Sequence, residues 1–392
     1  MLGIGGGILS NYYTFSYLYQ TIIKREFAIN PEAEIDKNRT YELEMWYFPF
    51  YEHLPGKEGD KNIDWALKKE AVRKKHPNIN IEFKELSFDG GLKQLTDNLS
   101  AGNPPDIYMN VGPDSFLNTE LQIPLTKYLT LEEKQLFSEN ELTSPDGEIW
   151  GFPFVFFEQN WLAKIKDEKV LRQLSDIRFP DNINKLPQES LALNIHNEIL
   201  LRQLLSGEEL YYFGFEKDNI SQAEFNKIFS VFERLHEWRK KGLFAGETIA
   251  LDQRFLEYFL IYPEKKVIGP VNYPLSLYLE KQHSEKLFTI NLNNMVLSQE
   301  IIVFRQKDYS GDDHSRAAVE AARIICEELT AEFENQEELI PGFTGENFPE
   351  KFQPLMQIHP HSREDWYGKI ISAWQDFWEE GLSPERIKGR FD

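Results

Sequence analysis

The chain has 392 residues, 64 acidic against 43 basic, and a formal net charge of -21. A chain this acidic repels polyanions, which sets nucleic acid and anionic membrane surfaces aside as partners. Its length suits two domains of ordinary size, and its lone cysteine, Cys326, leaves no intramolecular disulfide and no Cys/His grouping with zinc spacing.

Residues 1–23 carry no charge, and Lys24 and Arg25 follow them. A secretory signal puts its basic residues before the apolar core, and this order departs from that. The segment is long enough to span a bilayer, yet the basic pair behind it favours keeping the following domain inside. A mis-started signal, an uncleaved anchor and an ordinary N-terminal extension all stay open. Residues 24–39 read as a polar linker.

Residues 41–48 alternate as a strand does, and Pro49 ends it. The loop at 50–53 is aromatic and polar. Ala66, Leu67 and Val72 predict a helix over 63–75, stopped before His76 and Pro77. Residues 78–83 form a second strand. Asp89, Gly90 and Gly91 open a second helix, with Asp89 as candidate N-cap and Leu92, Leu95, Thr96 and Leu99 on one face. Gly102 can take the left-handed backbone that closes such a helix, and Pro104 and Pro105 forbid its continuation. A short apolar run with Tyr108 and Val111 then reads as a third strand. This strand–helix–strand–helix–strand order is the pattern of a parallel sheet with crossover helices. Ligands collect beyond the carboxyl ends of such strands, so the loop from Asn110 to Phe116 is the first place to look for a site.

Downstream come a proline-broken stretch at 123–125, a turn at 144–147, and helical patterns through 162–260. In the last of these, Phe225, Ile228, Phe229, Phe232, Leu235 and Trp238 share a helix face that stops at Lys241 and Gly242. Residues 266–271 and 300–304 read as strands. Ser315 is the expected cap of a helix over 316–333, whose Ala-rich face makes Cys326 a buried structural thiol. Near the end, Ser362 and Asp365 resemble a capping box ahead of an apolar stripe, in which Trp374, Phe377 and Trp378 are expected core.

In this order the elements resemble the family 1 extracellular solute-binding proteins of ABC importers, which include the maltose-binding and other sugar-binding proteins. The first strand ends in Trp46, Tyr47 and Phe48. The first helix ends in the run 75–82. A helix closing in Ala101 and Gly102 is followed by Asn103 and then Pro105 and Asp106. Residues 146–153 match the family's Asp-Gly-x-x-x-Gly-x-Pro segment, residues 316–330 its returning helix, and 377–385 its C-terminal pattern. The resemblance covers roughly 41–390, with two departures. There is no lipobox cysteine near the N-terminus, and 154–184 lacks the Tyr-Asn-Lys signature, with Gln159, Asn160 and Trp161 only a loose echo.

The resemblance implies an α/β, two-lobe periplasmic-binding-protein-like fold of type II. Its lobes are discontinuous, with hinge crossovers near 155, 295 and 343 and an interlobe cleft. The implied division is 1–39 as N-terminal segment and linker, 40–154 plus 295–343 as the N-lobe, and 155–294 plus 344–392 as the C-lobe. It implies a carbohydrate ligand, ABC permease subunits as partners, a monomer, no catalysis and no cofactor. The expected location is extracellular or periplasmic, with 1–23 a candidate membrane anchor.

A sugar presents flat C–H patches and a rim of hydroxyls. Aromatic faces suit the first, and charged or amide groups suit the second. The candidate loops supply both. The first-strand end gives Trp46, Tyr47, Tyr51 and Glu52. The second helix start gives Asp89, and the loop after the third strand gives Asn110, Asp114 and Phe116. The Gly-x-Pro segment gives Phe154, Phe156 and Glu158, and the second lobe gives Asn272, Tyr273 and Trp366. Each has a plainer reading: Trp46 or Tyr47 as core, Asp89 and Asp114 as caps, Asn272 and Tyr273 as loop, Trp366 as core.

Two other function classes are weighed. A glycoside hydrolase would need two carboxylates flanking a bond, and no pair stands out at strand ends. A metal site would use the His359 and His361 pair or the acidic loop 308–314; the second misses the twelve-residue calcium pattern, and solvated loops explain both better.

Overall fold

The computed structural model describes residues 30, 32–49, 63–87, 90–112, 114, 116–118, 120–139, 144, 147–163, 183–186, 188–191, 198–213, 220–244, 268–272, 288–290, 295–305, 311–333, 340–342, 353–354, 356–358 and 366–391. In chain order the elements are β1 (Tyr41–Tyr47), α1 (Trp65–Lys75), β2 (Ile79–Glu85), α2 (Gly91–Ala101), β3 (Ile107–Asn110), α3 (Leu131–Glu139), β4 (Phe152–Ala163), α4 (Glu198–Gly207), β5 (Tyr212–Phe213) and α5 (Gln222–Lys240). Then follow β6 (Ile268–Asn272), β7 (Phe288–Ile290), β8 (Met295–Val303), α6 (Asp312–Phe333), β9 (Ile340–Pro341), β10 (Gln353–Pro354), β11 (Gln357–Ile358), α7 (Trp366–Glu379) and α8 (Pro384–Lys388).

The first three strands lie parallel, with Tyr41 opposite Ile79 and Met45 opposite Ile107. Alternation along β1 sends Tyr41, Leu43 and Met45 into one core, and Trp46 to the other face beside Tyr108 and Leu95. Helices therefore cover both faces, as a parallel sheet requires. The Asp64 carboxylate caps α1 by accepting from the Leu67 N–H at 3.1 Å, and the helix ends at His76, ahead of Pro77. Gly102 closes α2 at φ 78°, and the Asn103 N–H donates to the Asn98 carbonyl at 2.9 Å. Two expected apolar positions face outward: Leu67 is 60% exposed and Leu92 64%. Lys68 and Val72 take the inner face of α1, and Leu95 that of α2.

Past β3 the sheet changes direction. Its order is β2-β1-β3-β8-β4-β6, and β8 runs antiparallel between β3 and β4. The strand β4 extends beyond the Gly-x-Pro segment, where helical pattern was expected from 162 onward. Its residues Phe152, Phe154, Val155 and Phe157 enter the first core, and Trp161 enters a second. Its first half pairs with β8, and residues 159–163 pair with β6. The second core gathers Leu200, Leu204, Phe232, Trp238, Trp374 and Phe377 from α4, α5 and α7, with Met356 and Ile358. Trp374, Phe377 and Trp378 are buried core, as their spacing predicts.

Helix α6 lies close on β4 because its inner face is small. The Cys326 thiol sits 3.5 Å from the Pro153 carbonyl oxygen, and the Thr330 hydroxyl 3.3 Å from that of Phe154. Burial pushes the Cys326 thiol well above its ordinary range. The helix begins at Asp312, not at 316, so Ser315 is buried inside its first turns and is not the cap. Gly311, at φ 110°, supplies the entry, and its carbonyl accepts from the His314 and Ser315 N–H groups. Asp312 and Asp313 occupy the first turn, where the helix dipole favours negative charge. Helix α5 starts on a capping box between Ser221 and Glu224.

The chain returns through β9, which pairs with β4 at Val155 and Phe156, and β10, which pairs with β8 at Met295 and Val296. At Gly342 the two backbones touch. A methyl group there would lie 2.5 Å from Phe154 Cα and closer still to the Pro153 carbonyl oxygen. Gly342→Ala is expected to destabilise the protein by about 1–3 kcal/mol, read as a lower urea midpoint at unchanged m-value. An unchanged midpoint would contradict this packing.

Asp313 ties the N-terminal end of α6 to β1, accepting from the Tyr41 hydroxyl and from Arg39, both at 2.8 Å. Burial raises its pKa, but the hydrogen bonds from Tyr41 and Arg39 outweigh that and hold it below the usual carboxylate value. The stability it contributes is complete above the unfolded value of about 3.9 and is lost as pH falls through the lower folded value. In Asp313→Asn, the fall of melting temperature below that pH should be shallower than in the parent.

Candidate functional site

The loop after β3 is built by amides. Asn110 ends the strand opposite Glu300 of β8. Its side-chain N–H donates to the Asp114 carbonyl at 2.6 Å, and its oxygen accepts from the Gly112 N–H at 3.0 Å. The turn is thus closed by the residue that begins it, as Asn commonly does. Gln299 of β8 adds a bond from its side-chain N–H to the Val111 carbonyl at 3.1 Å. Both side chains are buried, so the loop is held from within and from the neighbouring strand.

This fixed loop aims Asp114 at the second core. Arg202 of α4 meets it as a fork, with Nη1 2.6 Å from Oδ1 and Nη2 3.2 Å from Oδ2. The Ile358 N–H of β11 donates to Oδ1 at 3.1 Å. Arg202 Nη1 also lies 3.3 Å from the Met356 carbonyl, and the Ser206 hydroxyl accepts from the Met356 N–H at 2.8 Å. The side chains of Arg202 and Asp114 are 1% and 3% exposed. Removing two such charges from water is costly. The two-pronged geometry and the extra peptide N–H offset that cost, and losing one partner would strand the other.

Aromatic and acidic groups flank the loop. The Phe116 ring lies on that of Trp150 at 4.0 Å, and the Trp150 indole N–H donates to the Ser144 hydroxyl at 3.3 Å. Gln122 joins the two segments, donating to the Trp150 carbonyl at 2.9 Å and accepting from the Leu117 N–H at 2.6 Å. Glu300 is buried and accepts from the Ser298 hydroxyl at 2.6 Å. The strand end therefore gathers carboxylates, amides, a guanidinium and stacked rings.

The other candidate residues are dispersed. Trp46 is buried on the α2 face of the sheet, with Lys84 Nζ 4.0 Å from its ring centre. Tyr47 is half-buried, 4.5 Å from the Trp65 ring, with its hydroxyl 3.4 Å from Glu85. Phe154 and Phe156 are buried, Phe154 in the first core 6.2 Å from the Phe333 ring. The backbones of Glu158 and Asn272 come within one rung of each other, since Gln159 pairs with Asn272. Trp366 lies beside Phe391 with near-parallel rings 6.0 Å apart, and Lys369 Nζ lies 4.5 Å from its ring centre. Tyr51, Glu52, Asp89 and Tyr273 lie outside the described residues, as do the capping-box pair Ser362 and Asp365 and the histidines 359 and 361. Of the fourteen candidate positions, the structure gathers Asn110, Asp114 and Phe116 on the loop after β3, and joins to them Arg202, Gln299 and β11. Arg202 carries one visible signal in the sequence: it and Gln203 are the only polar residues inside the leucine run 200–205.

Among the described residues no grouping of His, Cys, Asp or Glu could hold a metal ion. The described part of the acidic loop is engaged elsewhere, with Asp313 on Tyr41 and Arg39 and His314 Nε2 2.8 Å from Asp106. No described helix is long and apolar enough to cross a membrane.

No protein-family model matches the sequence, and no curated protein matches it by sequence. Solved structures match it in shape over nearly the whole chain. An ABC substrate-binding protein of Listeria monocytogenes, in complex with cycloalternan, aligns at 13% identity and TM-score 0.54, over 90% of this chain and 97% of its own. The chain has the two-lobe periplasmic-binding-protein fold. The maltose/maltodextrin-binding domain of Bdellovibrio bacteriovorus, bound to maltotriose, aligns at 13% identity and TM-score 0.52, over 89% and 97%. An uncharacterized protein of Listeria monocytogenes aligns at 10% identity and TM-score 0.59, over 90% and 98%.

Because Asn110 satisfies one peptide N–H and one carbonyl of the loop after β3, Asn110→Ala leaves both without their partner in a buried setting. A loss of about 1–3 kcal/mol of unfolding free energy is expected. Hydrogen exchange at the Gly112 amide should rise more than at amides in the middle of β1, and equal protection would show that the loop does not depend on this side chain.

Proposed function

We propose that this chain is the solute-binding component of an ABC importer, taking a sugar or oligosaccharide into the interlobe cleft and delivering it to membrane permease subunits. The observation that supports the reading is a two-lobe fold whose loop after β3 holds amide and carboxylate groups beside stacked aromatic rings. Such groups suit sugar hydroxyls and C–H faces. The cycloalternan- and maltotriose-bound structures of the same fold support a carbohydrate as ligand class.

The proposed lobes are 40–154 plus 295–343 and 155–294 plus 344–392, a division supported by the two separate cores. The proposed role is binding without chemistry, by a monomer, outside the cytoplasmic membrane, with 1–23 as anchor or leader. Ligand contacts are proposed for Trp46, Tyr47, Tyr51, Glu52, Asp89, Asn110, Asp114, Phe154, Glu158, Asn272, Tyr273 and Trp366. Asn110 and Asp114 form the nucleus, and Glu158 and Asn272 are the nearest candidates on the strands that leave the first core.

A melting-temperature screen with mono- and oligosaccharides, and with peptides as controls, tests the ligand class. At a hundredfold excess over Kd, a ligand adds about 2.7 kcal/mol to stability. At least one carbohydrate should raise the melting temperature while peptides do not. A peptide response without a carbohydrate response would overturn the proposal.

A further inference from the structure

We propose that Arg202 and Asp114 form a latch that holds the two lobes together before any ligand arrives, with Arg202 as the positioning residue acting through Asp114. The inference rests on the two-lobe fold and not on the carbohydrate reading.

The two partners belong to different cores. Arg202 is on α4, among leucines of the second core, and Asp114 is on the loop that ends β3 of the first. The carboxylate takes three donors from the second-core side: two from the guanidinium and the Ile358 N–H. Parting the lobes breaks all three at once. Neither end is loose. Asn110 and Gln299 fix the loop, and Arg202 also reaches the Met356 carbonyl while Ser206 holds the Met356 N–H. Preorganised ends reduce the ordering cost that makes most ion pairs weak, and the guanidinium fork matches the carboxylate in both position and plane.

The described connections between the cores are the paired strands β4 and β8. Hinge closure needs only a few residues of this kind to absorb the rotation. The latch makes the closed arrangement the favoured one, and a ligand enters through the minor, open population. Its apparent affinity is then reduced by the fraction that is open.

Spin labels at Lys93→Cys in α2 and Lys241→Cys after α5, in the full chain with no ligand added, report the interlobe distance. Cys326 is buried and does not compete for the label. The parent should show one dominant short distance. Arg202→Met, which keeps most of the volume but not the charge, should add a longer population. Arg202→Lys, which keeps the charge but loses the fork, should fall between them. Asp114→Asn added to Arg202→Met should open the protein no further, because the pair acts as a unit. A longer distance already dominant in the parent would overturn the latch, and so would an Arg202→Met distribution like the parent's. If Arg202→Met does not fold, the parent distribution still decides. No sugar is needed, so a failed carbohydrate screen leaves this result intact.

Discussion

The fold turns on one twelve-residue strand that has to satisfy two cores. Phe152, Phe154, Val155 and Phe157 of β4 are buried in the first, and Trp161 in the second. Full burial of one such side chain stabilises by about 1.5–3 kcal/mol, so the strand cannot slip register without losing several of them. The rest of the architecture follows from holding this strand in place. The small inner face of α6 lets the helix approach until a thiol and a hydroxyl touch the β4 backbone, and Gly342 gives up its side chain so that the returning segment can lie against the same stretch. The strand thus passes unbroken from one core to the other.

Polar groups are buried where this scaffold leaves the first core. Asn110, Asp114, Gln122, Gln299, Glu300 and Arg202 are all buried. Each would cost stability in an apolar interior unless its hydrogen bonds were supplied. Many of these bonds are supplied by one another and by loop backbone. Such bonds have a use at a binding site, because donors and acceptors already in place need no ordering when a ligand arrives. The net charge of -21 plays no part in this. The groups described are inside, where Asp114 and Arg202 balance each other's charge.

What could be read in the sequence was what local chemistry dictates. The stop at Gly102 and the end of α1 before Pro77 depend on neighbours in the chain, and the stripe Trp374, Phe377, Trp378 follows from helical spacing alone. The parallel strands β1 to β3 were legible for the same reason. Of the central pair, β8 was legible only from 300 onward, and β4 was not. A strand buried on both faces loses the alternation that marks an edge, and the Phe-rich run at 152–157 has no period to read. Helix faces were legible only in part, since Leu67 and Leu92 turn outward while the stem of Lys68 turns in, its ammonium on Glu332. At the site, Asn110 and Asp114 stood out because they follow a strand end. The partner of Asp114 did not, since Arg202 lies 88 residues away and reads as an interruption in a leucine helix. The cap expected at Ser315 failed because Gly311 offers an earlier entry, with two aspartates to occupy it.

Asp114 is therefore drawn two ways. As a strand-end carboxylate it is a proposed acceptor for ligand hydroxyls, and it is also the partner of Arg202 from the second core. Were both proposals to hold, the two roles would use the same two oxygens, and binding and closure would be coupled. A ligand that shares Asp114 with Arg202 strengthens the closed arrangement. One that displaces Arg202 must replace a charged fork and leaves a buried guanidinium to be satisfied. Sharing is the less costly course, and it selects ligands whose hydroxyls approach the carboxylate from the side the guanidinium leaves open. A ligand shifts the lobes only by its difference in affinity for the open and closed forms. The ion pair therefore sets the scale against which any ligand has to act.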